Sequence, residues 1–440
     1  MAGRYKPYAE YKDSGVEWLG IIPKSWSCIR LKYSVDLNGN RTEVGSMQRY
    51  VGMENIESGN GKYLAKDDIA PEGLSLSFLK GDVLFGKLRP YLAKSWLANF
   101  SGTCSSEFIV LTDKKTSPGF LHYYTLTDEF INQVNASTYG SKMPRASWDF
   151  IGLMAVPIPA NESESISNFL DHETAKIDTL IEKQQQLIQL LKEKRQAVIS
   201  HAVTKGLNPH AKMRDSGVEW LGEVPEEWDV LMVGKATRVY RGKFTHRPRN
   251  DPRFYDGDYP FIQTGDIANS EVTIKAYTQT LNDEGIKISQ KFPAGTLMMG
   301  IVGAKLGSTA ILEFDSYGPD SIVGFYPCAE LDINYLRYTF LAAIQVLEST
   351  ATQSAQPNLN IERISAMYFC RPSFEEQKRI ASYLAEVEGS INFAEKKIIE
   401  AISLMQERRT ALISAAVTGK IDVRGWVAPE SSLTDKEVAA

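Results

Sequence analysis

Histidine and cysteine are scarce in this sequence, with five and four copies in 440 residues. Cys28, Cys104, Cys328 and Cys370 stand far apart with no CxxC pair, which excludes a zinc ribbon and a disulfide framework as the basis of the fold. His122, His172, His201, His210 and His246 show no metal-ligand spacing. Long hydrophobic runs are missing too. No stretch reaches the ~20 apolar residues of a membrane span, and Met1 is followed by a polar, tyrosine-rich segment rather than a leader peptide. The expectation is a cytoplasmic chain with no membrane partner.

Catalytic signatures are equally thin. There is no GxSxG elbow and no Asn-Pro-Pro or Asp-Pro-Pro aromatic box of an amino-methyltransferase. Pro319-Asp320 has the form of a nuclease motif opening, but the next acidic-x-Lys pattern, Glu376 to Lys378, falls at the start of a helical segment. Gly81 to Leu88 approaches a phosphate-binding loop and fails at Leu88, where a magnesium-holding hydroxyl is required. The chain is therefore expected to be noncatalytic and to carry no cofactor or metal of its own. A net charge of −5 and a pI near 5.8 argue against a uniformly basic face, so any grip on phosphate must come from local clusters.

What the sequence has is repetition. Asp13-Ser14-Gly15-Val16-Glu17-Trp18-Leu19-Gly20 returns as Asp215-Ser216-Gly217-Val218-Glu219-Trp220-Leu221-Gly222, each followed by matching prolines and tryptophans, Pro23 and Trp26, then Pro225 and Trp228. Eight identities in register mark a duplicated chain. A second repeat covers Ile166 to Thr204 and Ile380 to Thr418 and contains no proline. Ile177, Leu180, Gln184, Leu187, Leu191, Lys194 and Val198 recur at steps of three and four, with Ile181 and Ile188 widening the stripe. Ile391, Ala394, Ile398, Ala401, Met405, Arg408 and Leu412 occupy the matching places (391 − 177 = 214). A helix of ~38 residues spans roughly 57 Å, wider than a small domain. Each such helix packs either on its own globule or against the other, and the length and seam favour mutual burial.

Between each octapeptide and its helix lies a stretch of short strands and turns, 27–160 and 229–373, each with one internal helix, near Gly119 to Ala136 and Ile333 to Ser349. Residues 1–12 read as a loosely held arm, and those after Trp426 as a frayed tail. At 43% hydrophobic and 23% charged, the whole has the balance of two globular domains plus connecting structure.

Charge is concentrated locally. Lys235, Arg238, Arg241, Lys243, Arg247, Arg249 and Arg253 face a single acid, Asp251, within their own segment, with Tyr240 and Phe244 interleaved. In the first globule Lys80, Lys87, Arg89 and Lys94 accompany Tyr91, and Lys142 and Arg145 form a second group. Lys305 stands in Ala304-Lys305-Leu306, the counterpart of Gly86-Lys87-Leu88. Such side chains grip phosphates, and amides such as Asn358 and Asn360 pair with adenine in the major groove. The candidate contacts are Lys87, Arg89, Tyr91, Lys142, Arg145, Arg241, Lys243, Arg247, Arg249, Lys305, Asn358 and Asn360.

The chain resembles the specificity subunits of type I restriction-modification systems. The likeness rests on the two octapeptides with Pro23 and Pro225, the Tyr259 to Ile267 and Lys80 to Leu84 stretches, and the Ala-Val-Thr helix ends, Ala202 to Thr204 and Ala416 to Thr418. It implies an α+β chain with an internal pseudo-twofold repeat: target-recognition domains at 1–160 and 213–373, long antiparallel spacer helices forming a coiled-coil-like ruler at 161–212 and 374–425, and a tail at 426–440. It further implies binding of double-stranded DNA at an asymmetric bipartite target, one domain per half-site. Two modification subunits, using S-adenosylmethionine to methylate adenine N6, dock on the frame, and restriction subunits using ATP and magnesium join them in bacterial defence. A scaffold that reads no DNA and an orphan DNA-modifying enzyme remain the alternatives.

Overall fold

The repeated octapeptide closes a β-hairpin in both places. Tyr11–Asp13 pairs antiparallel with Ile21–Pro23, and Met213–Asp215 pairs with Glu223–Pro225. The turn chemistry explains why the letters match. The Asp13 carboxylate accepts from the Gly15 N–H at 2.9 Å, as Asp215 does from Gly217 at 3.0 Å. Both glycines of each word have φ between 59° and 73°, in the left-handed region that side chains avoid. Leu19 and Leu221 are buried beneath the turn.

The computed structural model describes residues 5–43, 49–66, 74–140, 142–303, 306–349 and 358–427, and these form two compact units. The first comprises residues up to Gln184 together with Ile399 onward; the second is Gln185–Ile398.

In the first unit an antiparallel sheet runs in the order Val35–Asn38, Phe108–Asp113, Val83–Gly86, Ser95–Leu97. Val83–Gly86, the core of the loop-like Gly81 to Leu88 stretch, is thus an interior strand, buried along its whole length. A second sheet orders Arg41–Glu43, Leu74–Phe78, Gly102–Cys104 and Tyr50–Val51. The expected single helix near 119–136 is two, Pro118–Thr125 and Asp128–Ala136, because the Thr127 hydroxyl accepts from the Phe130 N–H and starts a new helix. The arm is not loose from Tyr5 onward. Tyr8 is buried, and its hydroxyl donates to Glu162 at 2.7 Å.

The second unit holds a five-stranded sheet, Thr237–Arg241, Ile322–Pro327, Leu297–Gly300, Thr309–Leu312, Thr273–Ile274. Beside it lies a four-stranded sheet, Gln279–Leu281, Tyr255–Phe261, Ser316–Gly318, Gln290–Phe292. The helix Ile333–Ser349 packs on the larger sheet.

The long helices are Ser163–Lys205 and Phe374–Val417, of 43 and 44 residues. Within the first unit Ile166, Phe169, Leu170 and Ile177 share one core with Leu412, Ile413, Ala416 and Val417. Arg409 donates to Asp178 at 3.0 Å there, and in the second unit Arg195 donates to Glu395 at 2.9 Å. In each unit low numbers on one helix meet high numbers on the other, so the segments run antiparallel. The buried stripe differs in detail from the expected one. Leu180 and Leu187 are exposed, while Ile181, Ile188 and Arg195 are at least half covered. Ile177, Ile181, Gln184, Ile188, Leu191, Arg195 and Val198 are covered at steps of four and three, so the seven-residue period holds but the i+4 neighbour, not the i+3 one, is turned inward. Arg409, not Arg408, is buried for the same reason.

Candidate nucleic-acid interface

In the first unit the two basic groups, separate in sequence, are brought together. Leu88 and Tyr139 each form an antiparallel bridge with Arg145, and the Ala146 N–H donates to the Lys87 carbonyl at 3.0 Å. Arg89 takes a left-handed backbone, φ 51°, with its N–H on the Pro144 carbonyl at 2.8 Å. That bend leads into the short helical turn Pro90–Leu92, which leaves Tyr91 exposed. Lys142 is exposed on the neighbouring loop. Lys87, Tyr139, Arg145, Asn38 and Arg41 line a cleft of about 490 Å³. Arg145 is not a free cation: its guanidinium donates twice to Glu107, at 2.9 and 3.1 Å, and that hydrogen-bonded carboxylate raises its pKa.

In the second unit the run from Arg241 to Arg249 leaves the edge strand of the larger sheet. Gly242 makes this exit possible, since a Cβ there would lie 1.8 Å from the Pro319 carbonyl oxygen. Arg241 and Lys243 flank it, both exposed, and neither has an acidic partner among the described residues. Arg247 and Arg249 converge on Asp320, the former at 2.8 Å. Arg253 is held by Asp251 at 2.7 Å, and those hydrogen bonds drive the carboxyl far below the usual carboxylate range. Asp251 is also 3.0 Å from His246. Two of the seven expected cations therefore share an acid that lies some seventy positions away in sequence.

Asn360 caps the helix Ile361–Ala366, its side-chain oxygen accepting from the Arg363 N–H at 3.0 Å. That carbonyl has a structural task, and Asn360 is exposed. Asn358 is exposed and bridges Val302 through its backbone. Among the described residues no hydrogen bond joins either asparagine to the Arg241 to Arg249 run. Lys305 lies outside the described residues. A cleft that sequence reading did not single out opens beside the run, lined by Phe244, Arg249, Asn250, Tyr255, Phe261, Gln263, Thr264, Gln279 and Ser321, with a volume of about 350 Å³.

Among the described residues no group of three or more His, Cys, Asp or Glu is placed to hold a metal ion, and no helix is long and apolar enough to cross a membrane. Desolvation, reinforced by the Arg409 charge, pushes His122 down to about 3, and burial pushes the Cys104 and Cys370 thiols up to about 12.

Comparison with known proteins points to one family. The family profile described as type I restriction modification DNA specificity domain matches residues 232–404. The EcoDI type I restriction enzyme specificity subunit of Escherichia coli is 27% identical over 172 residues, spanning 38% of each chain. The StySPI specificity subunit of Salmonella potsdam is 20% identical over 393 residues, 84% of this chain and 80% of that one. Among solved structures, a chain from a study of complex assembly and conformational transition of the type I R-M system superposes with a TM-score of 0.71 at 17% identity, over 91% of this chain and 99% of that one. The HsdS subunit from Thermoanaerobacter tengcongensis gives 0.53 at 17% identity, over 91% and 98%. These likenesses establish a shared fold.

Proposed function

Because the chain belongs to the specificity subunits of type I restriction-modification systems, we propose that it selects the DNA sequence on which partner subunits act. Each unit reads one half of a bipartite target, and the paired long helices set the gap between the halves. The observation that carries this reading is a like frame around unlike globules. The hairpin, the tryptophan after it and the long helix recur, while among the described residues the larger sheets have four and four strands in the first unit and five and four in the second. Two different globules on one repeated frame suit two different half-sites, and the target is then asymmetric.

The DNA contacts we assign are Lys87, Arg89, Tyr91, Lys142 and Arg145 in the first unit and Arg241, Lys243, Arg247 and Arg249 in the second, with Lys305, Asn358 and Asn360 as further members. Arg241 and Lys243 are the strongest of these, being exposed and without an acidic partner. A doubled frame also suits two copies of one modification subunit, in keeping with a pseudo-twofold repeat. Leu180, Leu187, Leu190, Phe393, Ile399 and Leu404 are large apolar side chains 41 to 65% exposed on the long helices, and they supply surface for such docking. Adenine methylation with S-adenosylmethionine, and ATP- and magnesium-dependent restriction, are assigned to the partners. The chain itself acts in the cytoplasm without a cofactor.

The test is methyl transfer to DNA by the chain alone, by the modification subunits alone and by the two combined. Sequence-specific transfer only in the mixture is the expected result. Transfer by the chain alone would refute a noncatalytic role.

A further inference from the structure

The small cleft beside the basic run has an unusual polar edge. Gln279 sits on the edge strand Gln279–Leu281, paired with Phe261, and Gln263 follows two residues after Phe261. Their side chains meet at the cleft mouth, the Gln263 amide nitrogen donating to the Gln279 amide oxygen. That one bond fixes both amides. With it made, the Gln263 carbonyl oxygen remains as an acceptor and the Gln279 NH2 as a donor.

The surroundings hold this pair in place. The Gln263 backbone N–H donates to Asp266 at 2.8 Å. Behind the amides stand Phe244 and Phe261, both nearly fully buried, and Tyr255, whose ring stacks on Phe244 with centroids 5.9 Å apart. Tyr255 donates its hydroxyl to the Arg249 carbonyl, and Asp320 takes the Arg249 guanidinium, so the basic loop is fastened to the same cleft. Arg247 and Arg249 share one carboxylate, which leaves net positive charge at the rim. An exposed amide pair adds only ~1 kcal/mol to stability, so the fold does not require this arrangement.

Resting on the reading of the second unit as a DNA-binding globule, we propose that Gln263 and Gln279 together read one adenine of its half-site in the major groove. Adenine is the base that shows an acceptor, N7, next to a donor, the N6 amino group. The Gln279 NH2 donates to N7, and the Gln263 carbonyl accepts from N6. Guanine meets the pair with two acceptors, so its O6 opposes the Gln263 oxygen. Thymine and cytosine each offer a single polar group.

The experiment uses the full chain assembled with its modification subunits, a duplex library randomised across the target, and sequencing of the methylated products. Gln279→Leu removes the donor. Gln279→Glu keeps an acceptor for the Gln263 amide but turns an acceptor toward N7. Both variants are expected to lower the preference for adenine at one position of one half-site by about 5- to 150-fold. All other positions keep their preference. A bipartite wild-type motif that is unchanged in both variants, or one whose altered half-site position is not adenine, overturns the amide assignment and leaves the broader reading standing. Absence of any sequence preference in the wild-type complex overturns both.

Discussion

Glu162 is the residue on which the first unit's frame closes, and its removal should be felt more than that of its counterpart. Its carboxylate accepts from the Trp26 indole N–H at 2.6 Å and from the Tyr8 hydroxyl at 2.7 Å, with all three side chains buried. The second copy repeats the bond in weaker form: Trp228 donates to Glu376 at 3.2 Å, and Glu376 is only partly covered. A hydrogen bond to a charged group contributes ~1.5–3 kcal/mol, and orphaned buried donors add to the loss. Glu162→Ala should therefore destabilise the first hairpin by roughly 3–5 kcal/mol, and Glu376→Ala the second by about 1–2 kcal/mol. Hydrogen exchange resolved to peptides from 11–30 and 213–232 separates the two. At tenfold per 1.4 kcal/mol, the first should speed exchange by roughly 10² to 4 × 10³ and the second by about 5- to 30-fold. Glu162→Gln should fall between, since the amide oxygen still accepts from Trp26. Equal acceleration by the two alanine variants, or none at the first hairpin, would refute the assignment of Glu162 as the stronger lock.

Three further outcomes follow from the structure. His122 is buried with its pKa depressed below the unfolded value, so the unfolded chain takes up the proton first as pH falls and the native state loses stability from about pH 6.5 downward. Between pH 7 and 5 this costs ~2 kcal/mol, and in urea titrations the advantage of wild type over His122→Leu should shrink by that amount; a constant difference contradicts it. Arg241→Ala with Lys243→Ala should weaken DNA binding and flatten the slope of log affinity against log salt by about 1.8, and an unchanged slope would mean that both cations are merely solvated. Adding four residues to each long helix lengthens it by ~6 Å, which should widen the gap in the methylated motif by one or two steps of ~3.4 Å. An unaltered gap would remove the spacer role.

What was legible in the sequence follows the range of the forces involved. The octapeptide was legible as a repeat; the hairpin that it closes was not read from it, although Asp13, Ser14 and Gly15 make their turn from neighbouring atoms. The long helices are legible because periodicity needs only the chain's own spacing, although the exposure of Leu180 and Leu187 shows that packing partners, not spacing, decide which neighbour of a stripe is covered. Charge pairing was not legible. Asp320 reaches Arg247 and Arg249 across 73 and 71 positions, and Glu107 reaches Arg145 across 38, so clusters that look free in sequence are partly neutralised in space. The arm fails as a loose segment because Tyr8 finds Glu162, 154 residues on. The Gln263 and Gln279 pair escaped notice because neither residue is charged and only the sheet brings them together.

The measurement closest to the central claim is a map of methylated adenines in cells with the chain present and with it deleted. Two unlike half-sites at a fixed separation, methylated only when the chain is present, is the predicted result. A motif that is continuous, palindromic or untouched by the deletion would contradict it.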